Sequence, residues 1–140
     1  MHKCKSIVFK CMDFRLTKET IRFLEENKLL GDCDIVSLAG SSKSLTDGKD
    51  EIKNMLLKQI KTSSELHSST EVILIHHSDC GAYKTSYCFS SPEDEKKTQL
   101  EDMNKVESLI KENFPKIEVK KIWAEMEDKE GKKVNFSIID

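Results

Sequence analysis

A chain of 140 residues is long enough for one hydrophobic core and too short for two independent ones, so residues 1–140 are expected to form a single domain. Charged residues make up 34% and apolar residues 37%, and a net charge of -2 leaves no broad field for nucleic acid or anionic lipid; the expected partner is a small molecule. No window approaches the roughly 18 apolar residues that cross a bilayer, no apolar leader opens the chain, and its five cysteines read as reduced thiols, which together predict a cytoplasmic protein with no membrane partner.

Ser6 to Cys11 read as a buried strand, and Met12 to Leu16 as the loop leaving its carboxyl end. Thr17 is placed to cap a helix running to about Leu30, with Ile21, Phe23 and Leu24 near one face and Gly31 as its stop. Asp34 to Ala39 is the next strand, followed by the small polar loop Gly40 to Ser44. A helix over about Lys49 to His67 then carries Ile52, Leu56 and Ile60 at four-residue intervals.

The third strand, 72–76, runs into a His-x-x-Cys pair, His77 and Cys80, and Gly81 permits the sharp turn that would bring the two together. Ser78 to Ser90 read as irregular. Ser91, Pro92, Glu93 and Asp94 occupy the positions of a helix start, and Leu100, Met103, Val106 and Ile110 form the stripe of a helix that Phe114-Pro115 ends. Ile117 to Met126 is a fourth strand, and Val134, Phe136 and Ile138 alternate as a fifth across the turn Asp128 to Lys132.

Strands alternating with helices predict an α/β fold with a mainly parallel sheet flanked by helices, in the order 2-1-3-4 with a C-terminal edge hairpin strand. In that order the crevice lies between the carboxyl ends of the first and third strands. Cys11, His77 and Cys80 then form a tetrahedral zinc set with one position left open, the pattern of a catalytic site. Neighbouring strand residues face opposite sides, so only one of His76 and His77 faces the metal, and His77 keeps the three-residue spacing to Cys80. Asp13 and Arg15 are near enough to pair, which holds Asp13 ionised toward the open position. Two thiolates temper the acidity of a zinc-bound water, so activity is expected to favour alkaline pH.

Cys-x-Asp-x-Arg after the first strand and His-x-x-Cys-Gly after the third together resemble the β-class carbonic anhydrases, over about Ile7 to Gly81, with the order of elements agreeing to about Ala124. The resemblance implies Cys11, His77 and Cys80 on Zn2+, Asp13 and Arg15 as the orienting catalytic pair, and a homodimer or higher oligomer. It implies a zinc-dependent lyase that converts carbon dioxide reversibly to bicarbonate through a zinc-bound hydroxide. Where that family has Arg-Asn-Ala-Gly, this chain reads Ser37-Leu38-Ala39-Gly40. The retained Ala39 and Gly40, with Ser41 and Gly81, are the expected substrate-pocket residues. The helical arms with which the family tends to begin have no counterpart here, which places the chain with a small, divergent branch. The altered loop leaves open hydrolysis of carbonyl sulfide or carbon disulfide, or a non-catalytic zinc domain.

Cys4, Cys33 and Cys88 have no partner at metal spacing and are read as buried or incidental thiols. Asp79 is read as a turn residue, and Ser41, Ser42 and Lys43 as a solvated loop in preference to an anion site.

Overall fold

A computed structural model describes residues 2–140. The chain runs β1 (Ser6–Cys11), α1 (Phe14–Glu26), β2 (Cys33–Leu38), α2 (Ser44–Asp47), α3 (Asp50–His67), β3 (Glu71–His77), α4 (Gly81–Ser86), α5 (Pro92–Asn113), β4 (Glu118–Met126) and β5 (Val134–Ile139). The sheet has the order β2-β1-β3-β4-β5, with β1 parallel to β2 and β3, β3 parallel to β4, and β5 antiparallel to β4. This is the predicted topology, with the hairpin strand at the edge.

Every residue of β3 is buried, which is why its middle, Val72 to Ile75, is a continuous apolar run and does not alternate. On one face Ile7, Phe9, Val72 and Leu74 pack with Leu56 and Ile60 of α3 and Met103, Val106 and Ile110 of α5. On the other, Val8, Ile73 and Ile75 pack with Leu16 and Leu24 of α1. Among the described residues, no helix is long and apolar enough to cross a membrane.

Several boundaries differ from the sequence expectation. The first helix begins at Phe14 and its cap is Asp13, whose carboxylate accepts the backbone N–H of Arg15; Thr17 lies inside the first turn. An aspartate two residues past the strand satisfies a free N–H of the helix start before Thr17 is reached. That helix stops at Glu26, and Lys28 takes the left-handed conformation (φ 59°) ahead of Gly31 (φ 83°). The short helices α2 and α4 occupy stretches expected to be loop, and β2 ends at Leu38, which puts Ala39 in the turn.

At the amino ends of the strands, Glu71 ties three of them together. Its Oε1 accepts the Ser6 hydroxyl at 2.6 Å and its Oε2 pairs with Lys120 Nζ at 2.8 Å, so β3 is fastened to β1 and β4. Burial acts to raise the Glu71 pKa, but the bonds from Lys120 and Ser6 outweigh it and leave the carboxyl below its ordinary value. A depressed carboxylate contributes stability above its unfolded pKa that is lost as pH falls through the folded one. Glu71→Gln should therefore lower unfolding stability by about 1 kcal/mol at pH 7. Urea denaturation at stepwise lower pH should show the gap to wild type closing through and below about pH 4.5, the ordinary glutamate range; a gap independent of pH would show that the ion pair is not its source.

Candidate functional site

The ladder between β1 and β3 ends at Phe9 opposite Leu74, so the last residues of the two strands are free to part. Cys11 closes β1, His77 closes β3, and Cys80 is the residue before α4; the ligand atoms of all three lie within 4.8 Å of one another, and all three side chains are buried. The turn that returns Cys80 to His77 is expected at Gly81, but its left-handed residue is Asp79 (φ 56°). Gly81 starts the helix instead, and a Cβ added to it would meet nothing within 4 Å. Aspartate tolerates this conformation better than most residues, and here its side chain is held by Arg15 and Lys84.

The hydrogen bonds of His77 decide its tautomer. Nδ1 lies 2.6 Å from the Ser78 carbonyl, which can only accept, so Nδ1 carries the proton and the lone pair stays on Nε2. Nε2 is buried with no hydrogen-bond partner. An unsatisfied buried acceptor beside two thiols is what a metal ligand looks like without its ion. The neighbouring Cys80 thiol, together with His77, holds the Cys11 thiol well below its ordinary value, while Cys11 and burial raise Cys80. Two sulfurs and one imidazole nitrogen suit zinc better than any oxygen-seeking cation.

Beside this set stands an ion cluster. Arg15 Nη2 reaches Asp13 Oδ2 at 2.7 Å, and its Nη1 reaches Asp79 Oδ2 at 2.9 Å. Nη2 also donates to the Asp79 carbonyl at 2.9 Å and Nη1 to the Lys129 carbonyl at 3.3 Å. Lys84 pairs with the second oxygen of Asp79. The bonds from Arg15 hold the Asp13 carboxyl below its usual range, and its Oδ2 lies 4.0 Å from His77 Nε2. Asp79, read as a turn residue, is therefore also a charge partner.

His76 faces away from the thiols. Its Nε2 lies 2.7 Å from Ser42 Oγ and its Nδ1 3.0 Å from Gln99 Oε1, and burial pushes its pKa down to about 4. Sequence reasoning passed over the polar residues of α5 that build this support. Gln99 Nε2 donates to the His77 carbonyl at 2.9 Å, Glu95 Oε1 accepts the Asp79 N–H at 2.6 Å, and Asp102 Oδ2 accepts the Tyr83 hydroxyl at 2.8 Å. The available signal was their spacing: positions 95, 99 and 102 continue the stripe of Met103, Val106 and Ile110, so polar residues lie on a buried helix face. Burial raises the Glu95 pKa, and its Oε2 has no partner.

The expected pocket residues are divided between the turn after β2 and the first residue of α4. Ala39 is exposed, Ser41 is buried in a left-handed conformation (φ 58°) with an unpartnered hydroxyl, and Gly81 is exposed. Gly40 (φ 77°) packs so tightly that a Cβ would sit 2.9 Å from Lys43 Cβ and 3.3 Å from Ala82 Cβ. Ser42 and Lys43 are buried, so this segment is not the solvated loop expected. Cys88 is exposed, and Cys4 and Cys33 are half-buried.

A family model described as "Putative carbonic anhydrase" matches residues 1–135. An uncharacterized protein of Rickettsia bellii (strain RML369-C) is 32% identical over 123 residues, spanning 85% of this chain and 75% of its own. A crystal structure of carbonic anhydrase from Streptococcus mutans matches with a TM-score of 0.55 at 21% identity, over 96% of this chain and 82% of that one. The β-carbonic anhydrase CafA of Aspergillus fumigatus matches with a TM-score of 0.53 at 13% identity, over 99% and 76%. At these identities the structures are alike in fold.

The β4–β5 turn presses on the ion cluster through Gly131 (φ 77°), where a Cβ would fall 1.9 Å from the Arg15 carbonyl oxygen. Gly131→Ala must lift the turn from Arg15 and break its contact to Lys129. The expected loss is about 2 kcal/mol or more of unfolding stability in urea; an unchanged midpoint would mean that the turn does not brace Arg15.

Proposed function

We propose, because the chain belongs to the family described as "Putative carbonic anhydrase", that it is a zinc-dependent lyase converting carbon dioxide and water reversibly to bicarbonate and a proton. The observation that carries this reading is the convergence of Cys11, His77 and Cys80 within 4.8 Å, with the His77 Nε2 lone pair unspent and an arginine-held Asp13 4.0 Å away. A zinc ion held by these three residues supplies a Lewis acid that makes water nucleophilic at moderately alkaline pH.

The chain's own groups do the positioning. Cys11 and Cys80 provide thiolates. The Ser78 carbonyl fixes the ring of His77, and Gln99 fixes the His77 carbonyl in turn. Asp13 Oδ2 accepts a hydrogen bond from the reacting water and aims its lone pair at the carbon. Arg15 keeps that carboxylate ionised and engages both its oxygens, which restrains Asp13 from becoming a fourth ligand. Ala39, Gly40, Ser41 and Gly81 are assigned to the substrate pocket, with the free Ser41 hydroxyl as a donor to a bicarbonate oxygen. The reading treats residues 1–140 as one domain, supported by a sheet whose strands span Ser6 to Ile139. A homodimer or higher oligomer is part of the proposal, supported by Met12 and Phe14, apolar and 62% and 85% exposed on either side of Asp13.

Stopped-flow hydration of carbon dioxide by protein of measured zinc content should reveal catalysis that scales with zinc and rises from pH 7 to pH 9. Absence of catalysis at both values with the Cys11–His77–Cys80 centre filled would reject the assignment. Asp13→Asn should keep its zinc while losing about 100-fold or more in turnover; undiminished turnover would remove Asp13 from the mechanism. His77→Ala should lose one zinc per chain and melt several degrees lower, because metal binding is coupled to folding; full zinc content would disprove the ligand assignment.

A further inference from the structure

The three thiols outside this centre have no partner at metal spacing in the sequence, yet the fold gives one of them a ligand set at the opposite end of the sheet. Cys4 precedes β1, Asp34 is the second residue of β2, and His67 is the last residue of α3. The Cys4 backbone N–H donates to the His67 carbonyl at 2.9 Å, which sets the two residues side by side. A sulfur, a carboxylate oxygen and an imidazole nitrogen from these residues all lie within 4.8 Å of one another. Cys4 and Cys11 flank a single extended strand, so the two clusters are roughly 20 Å apart.

The contacts are specific. Asp34 Oδ2 lies 2.8 Å from His67 Nδ1, 3.7 Å from Cys4 Sγ and 2.7 Å from the donating hydroxyl of Ser63. His2 adds a second imidazole, its ring centroid 5.7 Å from that of His67. In a tetrahedral zinc site, bonds of the usual lengths put sulfur, nitrogen and oxygen ligands about 3.3–3.5 Å apart. The Asp34 Oδ2 separations of 2.8 Å to His67 Nδ1 and 3.7 Å to Cys4 Sγ bracket that value. The Asp34 and His67 side chains are 34% and 32% exposed, which leaves a path for an ion from solvent.

We propose that Cys4, Asp34 and His67, completed by His2, form a second metal site for a borderline transition ion such as zinc. Hydrogen bonding explains the histidine and the serine on Asp34, but a thiol at 3.7 Å gives a carboxylate little; as a thiolate on a metal it becomes the strongest ligand of the set. Binding releases the Cys4 proton. The mixed sulfur, nitrogen and oxygen donors disfavour magnesium and calcium, which take oxygen alone. The site is structural: it clasps the residue leading into β1 to the edge strand β2 and the end of α3. It is independent of the reading of Cys11, His77 and Cys80.

The test uses the full chain, loaded with excess zinc and dialysed. Elemental analysis should give two zinc ions per chain in wild type and one in Cys4→Ser and in His67→Ala. Alkylation of the folded wild type, mapped by peptide mass spectrometry, should slow at Cys4 by 10-fold or more on adding zinc, with exposed Cys88 as the unprotected control. One zinc per chain with Cys4 protected would support this site and instead remove the metal from the Cys11 centre. One zinc per chain with Cys4 alkylated equally fast with and without the ion would overturn the proposal. So would two zinc ions per chain retained in both variants.

Discussion

The guanidinium of Arg15 fastens together two loops that have no backbone ladder between them. Beyond Phe9 and Leu74 the strands β1 and β3 cease to pair, and the segments that follow Cys11 and His77 leave the sheet separately. Arg15 grips the Asp13 carboxylate of one segment and both the carboxylate and carbonyl of Asp79 in the other. The planar fork suits this double contact in a way a lysine would not. Because Asp13 also caps α1, the same charge network sets where the first helix starts and how the carboxylate faces His77.

A second restraint comes from behind the site. Glu95, Gln99 and Asp102 form a polar column on the buried face of α5, and each meets a different part of the β3–α4 connection. Glu95 receives the N–H of Asp79, Gln99 bridges the His76 ring and the His77 carbonyl, and Asp102 receives the Tyr83 hydroxyl. Burying these groups is favourable only because the connection offers them partners. The apolar half of the helix, from Met103 to Ile110, supplies the packing that holds the column in place.

The two ends of the sheet are built by the same topology. Parallel strands collect all their carboxyl ends on one side and all their amino ends on the other, so residues far apart in the chain meet in two distinct groups. One group is Cys11, His77 and Cys80; the other is Cys4, Asp34 and His67. The amino-terminal side is further fastened by Glu71, which links Ser6 and Lys120. A sheet clasped at its amino end leaves the carboxyl end as the place where loops, rather than strands, position chemistry.

The sequence by itself determined the strand order, the limits of β1, the capped start of α5 at Ser91-Pro92 and the grouping of Cys11, His77 and Cys80. The limits of β1 and the start of α5 rest on a pattern inside one element, a run of buried apolar residues or a cap with its proline; the strand order and the three-residue grouping follow from the alternation of strands and helices and from the resemblance to the β-class carbonic anhydrases. It placed the first cap four residues late, because Thr17 and Asp13 carry equivalent capping chemistry and only the departure of the chain from β1 chooses between them. It assigned the tight turn to Gly81, because glycine is the residue most at ease in the left-handed region, and the side-chain partners of Asp79, Arg15 and Lys84, are visible only in the folded chain. Tertiary structure alone decided the partners of Glu95, Gln99 and Asp102, and the meeting of Cys4 with Asp34 and His67. Those contacts join residues from different elements, and their distances are set by strand register and helix crossover, which no spacing along the chain records.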